Sequence, residues 1–468
     1  MNNSPLLKKY DDTFFMEAYF SNNPVSKVTN ELNGRLEFSP NDKTLSVHIS
    51  LKELKFWNTN HIDCVYGINS DGIYLKLTNL INMRSKNNSR TKQFLYTFYV
   101  NTCTLSVIPF DDSNNNTRKI DFSLTGFDTW FPIFEKRKIN YFKRGGLKLS
   151  VNLKSDHKIG SFSFGEHKFF LKVYTELKNP SRIEEHYYRD LTIKSRVACI
   201  ISGYSKLSNI CTIKIVKDFE KLFAVLMGQR QQIVFIRPFS KKNRKAIYTS
   251  QITKTTSNVK KYIDPTYAFT YETFENTLGK IINNFFNRTD NENALITNFL
   301  MSLNEGLDLS NELLDLCQAI DSYYEVVPNV PRNLEKRISC FLKSLPECIK
   351  NILEDNREII LKDFLIKFRE GNITTSDLTR KKNPLCFEDT LKIWARCISD
   401  TRMYLAHGNL KRSKFRIDDS VEKTRNTELL QFLLQCFILQ KLGYSNFDRK
   451  ELKDSLINII TNEKYSII

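Results

Sequence analysis

The hydrophobic period of this chain changes once, near residue 270, and that change limits the fold more than any other feature. Before it, apolar and polar residues alternate in short runs at 34–38 and 44–50, on either side of the turn-forming SPND. Similar runs follow at 73–77, 94–100, 104–108, 147–153, 162–164 and 169–174. A period of two is that of a half-buried strand. Asp71-Gly72, Gly145-Gly146 and Asn179-Pro180 supply turns between the runs. Many short strands spaced in this way predict a sandwich or a curled antiparallel sheet. One stretch, 218–227 (DFEKLFAVLM), is helical in period and should stop at Gly228, with strand character returning at 233–236. Beyond residue 270 the segments 273–286, 292–303, 313–324, 334–353, 359–368, 387–407, 427–442 and 451–460 repeat at three and four residues, the period of helices. Pro346 should kink or split the fourth.

The expected fold class is therefore α+β in two parts, a β-rich, sandwich-like antiparallel N-terminal region followed by an all-α bundle. The expected boundaries are 1–265 for the β-rich domain, 266–290 for a helical connector and 291–468 for the bundle, with NRTDNEN (287–293) as the candidate hinge. A length of 468 residues allows about two to four domains.

Charge sharpens the division. The chain carries 70 Lys+Arg against 52 Asp+Glu, a net of +18. Residues 291–468 hold 26 of each sign, so the whole excess falls on residues 1–290. An acidic partner is thus favoured over a basic one. Runs such as Lys136-Arg137-Lys138, Lys143-Arg144 and the 241–245 run (Lys241, Lys242, Arg244, Lys245) contribute, some of them near Trp130, Phe131, Tyr141 and Phe142. Cations beside rings suit a phosphate-bearing polymer, because charge supplies affinity and rings offer stacking. A solvated basic face is the competing reading, since net charge alone names no ligand. No run of about 18 apolar residues occurs, which excludes a membrane-spanning helix. The opening MNNSPLLKKYDDTFF lacks the apolar core of a signal peptide, so a cytoplasmic location is expected. Ten cysteines without a C-x-x-C pair read as buried, reduced thiols.

Six histidines are present, and only His407 lies in the helical half, five residues after Arg402. Phe387, Leu391, Trp394, Ala395, Ile398, Leu405 and Ala406 make one stripe of a helix, and Arg402 falls inside it. An arginine there must be paired, must snorkel, or must face a cleft or another subunit. Gly408 is the residue type that ends helices, which puts His407 on the last turn, where the carbonyl ends favour a cation by about 0.3–1 kcal/mol. That position suits a group that gives and takes protons. Side chains five residues apart diverge by about 140°, so one helix does not converge them, whereas a two-fold pair of helices would. The alternative is an arginine capping a neighbouring helix and a histidine satisfying its own C-terminus. No Asp/Glu/His cluster near the motif has metal-ligand spacing.

The residues RMYLAHG, following a helix that begins CFEDTLKIWARCISD, resemble the R-x4–6-H signature of HEPN ribonuclease domains, in the version of the ApeA-like anti-phage HEPN family. LLDLCQAIDSYY (313–324) is similar to that family's first-helix pattern LL-x-L-x-QA-LE-x-YH, and ELLQFLLQCFILQKLGY to its buried final helix. NGRLEFSPNDKTLSVHIS and SLTGFDTWF resemble its β-rich N-terminal domain. Two positions depart from the pattern. Met403 follows the arginine where HEPN sites usually carry a small polar residue, and Tyr324 stands where the family often has histidine.

The resemblance implies a HEPN bundle that cleaves RNA without metal or other cofactor, as a homodimer or higher homo-oligomer, in abortive anti-phage defence. His407 would be general acid or base and Arg402 the phosphate clamp, together forming one composite site. Asp400 and Asn409 would orient or bind. Charge, apart from the resemblance, offers Lys411, Arg412, Lys414 and Arg416 directly after the motif as guides for RNA, with tRNA a candidate, against an exposed loop as the competing reading, and offers the 241–245 run likewise. Regulation by a phage-derived trigger would fall to the β-rich part. A HEPN-like module that binds RNA or a partner without cutting is the alternative that Met403 favours. A carbohydrate-active sandwich needs paired carboxylates in a cleft, and neighbours such as Glu184-Glu185 would point to opposite faces of a strand.

Overall fold

The computed structural model describes residues 14–22, 32–38, 43–50, 59–88, 93–110, 117–131, 135–141, 147–153, 157–177, 195–239, 245–249, 269–303, 308–374, 377–378, 387–408 and 413–461. Two compact units are formed, Met1–Glu220 with Gln231–Lys261, and Lys221–Arg230 with Tyr262–Ile468.

In the first unit, β1 (Phe14–Ser21), β2 (Leu32–Phe38), β3 (Lys43–Ser50), β4 (His61–Asn69), β5 (Tyr74–Asn88) and β6 (Gln93–Ser106) close into a ring. Antiparallel pairing runs β1–β2–β3–β6–β5–β4 and back to β1, so the curl expected from the alternation goes to completion. Alternation decides which side is filled. Phe14, Met16, Ala18 and Phe20 of β1 are buried, while Phe15, Glu17 and Tyr19 between them are exposed. Leu36, Phe38, Val65, Leu75, Leu77, Phe98 and Leu105 complete the interior. At roughly 1.5–3 kcal/mol for each large apolar side chain removed from water, this filling is what holds the ring closed. Closure also leaves those strands no free edge.

After β7 (Thr117–Leu124), the short helix α1 (Phe127–Trp130) and the ribbon β8 (Glu135–Tyr141) with β9 (Leu147–Leu153), a second sheet forms. Its order is β10-β11-β12-β7-β13, from β10 (His157–Phe164), β11 (His167–Leu177), β12 (Ser195–Leu207) and β13 (Ile233–Phe239). The strand β14 (Lys245–Thr249) returns to pair with β6. Helix α2 (Asn209–Met227) sets Phe219 against Phe122 and Phe162, with centroids 5.4 and 5.2 Å away. Gly228 ends it as expected, at φ +64, where a Cβ would also meet the Gln435 amide.

The second unit is helical, and its residues 262–290 are part of it. It contains α3 (Tyr271–Phe274), α4 (Leu278–Phe286), α5 (Asp290–Ser302), α6 (Leu309–Glu325), α7 (Leu334–Lys343), α8 (Glu347–Asp355), α9 (Arg357–Ile360), α10 (Lys362–Arg369), α11 (Phe387–His407), α12 (Ser420–Lys441) and α13 (Lys450–Thr461). Pro346 splits the long segment as its missing N–H requires, standing just before α8. NRTDNEN, expected as a hinge, is a stapled turn. Thr289 and Glu292 make a reciprocal capping box, and the Arg288 guanidinium donates to the Phe285 carbonyl (2.7 Å) and the Asn293 side chain (3.0 Å). The central helix α12 is buried on nearly all faces from Thr427 to Leu439, and its Gln435 amide donates to the Val225 carbonyl at 2.7 Å.

Candidate functional site

Helix α11 is placed by its apolar stripe. Leu391, Ile393, Trp394, Ala395, Cys397 and Ile398 are buried, and the Trp394 indole donates to the Asn426 side chain on α12 at 2.5 Å. The helix ends where the sequence put its end. Gly408 takes φ +64 and its N–H donates to the Tyr404 carbonyl at 2.7 Å, leaving His407 exposed on the last turn. Arg402 is half-buried, close enough to Cys317 of α6 for its charge to oppose the burial that pushes that thiol up to about 12. Neither Arg402 nor His407 has a hydrogen bond or ion pair among the described residues. On one helix the two diverge by about 140° and are offset by about 7.5 Å along the axis. A single protomer therefore presents them separately.

The segment after the motif is tied back to α11 at closely spaced points. Asp400, only 8% exposed, accepts from the Phe415 N–H at 2.9 Å. Burial pushes its carboxyl up, against the lowering effects of that N–H and of Arg396. The Thr401 hydroxyl donates to the Cys397 carbonyl (2.7 Å) and accepts from the Ile417 N–H (2.8 Å). Phe415 is fully packed, with the Arg396 guanidinium 3.8 Å over its ring and Phe364 stacked 5.9 Å away. Around it the charges pair off. Lys414 reaches Asp377 at 2.6 Å, holding that carboxyl well below the usual range together with the Thr374 N–H and hydroxyl. Arg416 meets Asp418 at 2.6 Å and lies over the Tyr404 ring at 4.9 Å. Lys367 bridges Asp363 (3.2 Å), Asp418 (2.6 Å) and the Arg416 carbonyl (2.5 Å).

The positions expected from the sequence fall into four groups. Arg402 and His407 lie where the helix argument put them. Asp400, Lys414 and Arg416 are engaged within the fold. A carboxylate spent on a backbone N–H, and cations 2.6 Å from carboxylates, anchor the chain instead of lining an open path. Lys245 is corrected outright. It is 4% exposed on β14 with its ammonium 5.7 Å from the Phe110 ring, and burial, then Lys76, pushes its pKa down, so it presents no surface charge to RNA. Asn409, Lys411, Arg412, Lys241, Lys242 and Arg244 lie outside the described residues. Thr401, Phe415, Asp377 and Lys367 were missed. The alternation Phe415, Arg416, Ile417, Asp418 was the available signal, hidden inside a charge run.

Elsewhere in the bundle, Glu312 on α6 is pushed up to about 7 by burial and by Glu428 of α12. Among the described residues no three His, Cys, Asp or Glu side chains are grouped to hold a metal ion, and no helix is long and apolar enough to cross a membrane.

A β-rich unit and a helical unit in which α11 ends in an Arg–His motif make the layout of a HEPN protein with an N-terminal accessory domain. Residues 17–285 match the family model of ApeA N-terminal domain 1, and residues 267–447 match that of the Apea-like HEPN domain. The chain belongs to the ApeA-like HEPN family. No curated protein and no solved structure matches it.

Proposed function

We propose that this protein is a metal-independent endoribonuclease acting in abortive anti-phage defence, with Arg402 and His407 of two protomers forming a composite site. The observation that carries this reading is the state of the pair. In a unit where neighbouring cations are bonded to carboxylates or stacked on rings, Arg402 and His407 have no such partner among the described residues, at the end of a rigid helix. HEPN domains generally act on RNA. The 2′-hydroxyl of a ribose would attack the adjacent phosphorus, forming a 2′,3′-cyclic phosphate and expelling the 5′-oxygen of the next nucleotide. One His407 would take the hydroxyl proton or give one to the leaving oxygen, and Arg402 would hold the phosphate and balance its developing charge. Those groups supply the proton transfers and the countercharge that the reaction needs. A second protomer related by a two-fold axis removes the angular divergence.

On this reading the bundle cuts and the basic β-rich part, with boundaries near 1–265 and 266–290, senses a phage-derived trigger or grips RNA, tRNA among the candidates, in the cytoplasm. The test is incubation of the full chain with RNA in EDTA beside Arg402→Ala and His407→Ala, with the ends mapped. Cyclic-phosphate ends from the parent chain and none from either variant are expected. Identical cleavage by all three overturns the proposal. The second reading is a silent HEPN-like binding module, favoured by Met403. It predicts RNA or partner binding with no new ends from any of the three.

A further inference from the structure

The second sheet carries a feature that the cutting site does not use. Alternate residues of a strand share a face, and on β10–β12 and β7 one set is buried: Phe162, Phe169, Leu171, Val173, Cys199, Ile201, Ile120 and Phe122. The register sets the other set side by side. Lys158 is directly opposite Lys172, Ser163 opposite Lys168, and Phe170 lies between Ser161 and Ser202, with Lys119 opposite Ser202. Lys119, Lys158 and Lys168 are exposed. Lys158 and Lys168 converge over the Phe170 ring at 5.4 and 6.0 Å. Among the described residues Lys119, Lys158 and Lys168 have no ion pair. The register also brings Asp121 to this face, but that carboxylate is buried, accepts from Tyr174 at 2.7 Å and lies 3.7 Å from Arg237. Glu166 sits at the tip of the β10–β11 turn.

Resting on the RNA-directed reading above, we propose that the face of β10, β11, β12 and β7 that carries Phe170 binds single-stranded RNA, with Lys119, Lys158 and Lys168 on phosphates and Phe170 stacking on a base. Charge complementarity selects this occupant, since the whole net charge of +18 falls on residues 1–290. The sheet geometry agrees. Lys168 and Phe170 are next neighbours on one face of β11 at about 6.6 Å, a spacing that a phosphate and a base of an extended chain can match. A ring between lysines gives sequence-tolerant stacking with salt-dependent grip.

This surface shares no residue with the Arg–His pair, so the test uses the full chain carrying His407→Ala, which uncouples binding from cutting. The probe is a fluorescein-labelled oligouridylate of about 20 nucleotides, read by anisotropy between about 50 and 200 mM salt. Replacing Lys119, Lys158 and Lys168 together by alanine should weaken binding about tenfold and lower the salt slope by about 2, at roughly 0.7 per phosphate contact on a single strand. Phe170→Leu, which keeps apolar bulk, should cost several-fold at an unchanged slope. The proposal fails if the parent does not bind the probe, or if the triple variant keeps its affinity and slope. A triple variant that loses a protein partner while holding RNA normally also overturns it, and would make this a protein-docking face.

Discussion

The cations packed around the end of α11 and those on the five-stranded sheet behave differently in the structure. Lys367, Arg396, Lys414 and Arg416 each meet a carboxylate or lie on an aromatic ring, and they hold the segment Ser413–Asp418 against α11. Among the described residues Lys119, Lys158 and Lys168 have no carboxylate partner, and two of them share one ring. The neutral charge balance of residues 291–468 is thus partly an internal pairing, whereas the excess on residues 1–290 includes charge left outward. A run of Lys and Arg marks a binding surface only where the fold has not already used it. Arg402 belongs to the second kind, although it sits among residues of the first.

The largest test of that distinction is at the motif. Arg402→Ala or His407→Ala should lower RNA cleavage about 10²–10⁴-fold, the scale of a lost acid–base group or oxyanion partner. Because neither has an internal partner among the described residues, the melting temperature should stay within a few degrees. A large loss of stability in either variant would move Arg402 into the anchoring class. Next comes the anchor itself. Asp400→Ala orphans the buried Phe415 N–H and should cost about 1–3 kcal/mol in denaturant unfolding. Asp400→Asn keeps an acceptor oxygen and should cost less. Equal, negligible losses would show that Ser413–Asp418 is held without Asp400.

Much of this was legible beforehand. The switch of period near residue 270, the stop at Gly228, the split at Pro346 and the end of α11 at Gly408 each follow from one residue's backbone chemistry. Closure of the first sheet was not, because alternation fixes which side of a strand is buried and leaves its partners open. The stapled turn at 287–293 was missed because the polar residues that suggest a hinge are the same ones that build a capping box. At the site, the helical position of Arg402 and His407 could be read from spacing. The role of Asp400 could not, because Phe415 meets it across a loop whose path no local pattern specifies.

Smaller effects probe the interior pairing by pH. Glu312, with a pKa of about 7 against an ordinary 4.5, holds its proton more tightly in the folded state than in the unfolded chain. Its contribution is complete below about 4.5 and is lost as pH rises through about 7, so the bundle should weaken by about 1–2 kcal/mol across that window. Glu312→Gln removes the titration and should flatten the pH profile of unfolding, raising stability above pH 7 most. An unchanged profile would mean that the Glu428 carboxylate is too far or too well solvated to matter.

The smallest expected change separates the two classes of lysine most directly. Lys414→Ala deletes a partly exposed ion pair with Asp377 and should lower stability slightly without altering the salt slope of RNA binding. Removing Lys158 should do the reverse: it breaks no ion pair among the described residues, so stability stays within about 0.5 kcal/mol while RNA affinity falls. Opposite patterns for two surface lysines, measured in one protein by the same two assays, would mean that internal pairing decides which cations meet RNA. Matching patterns would erase the distinction.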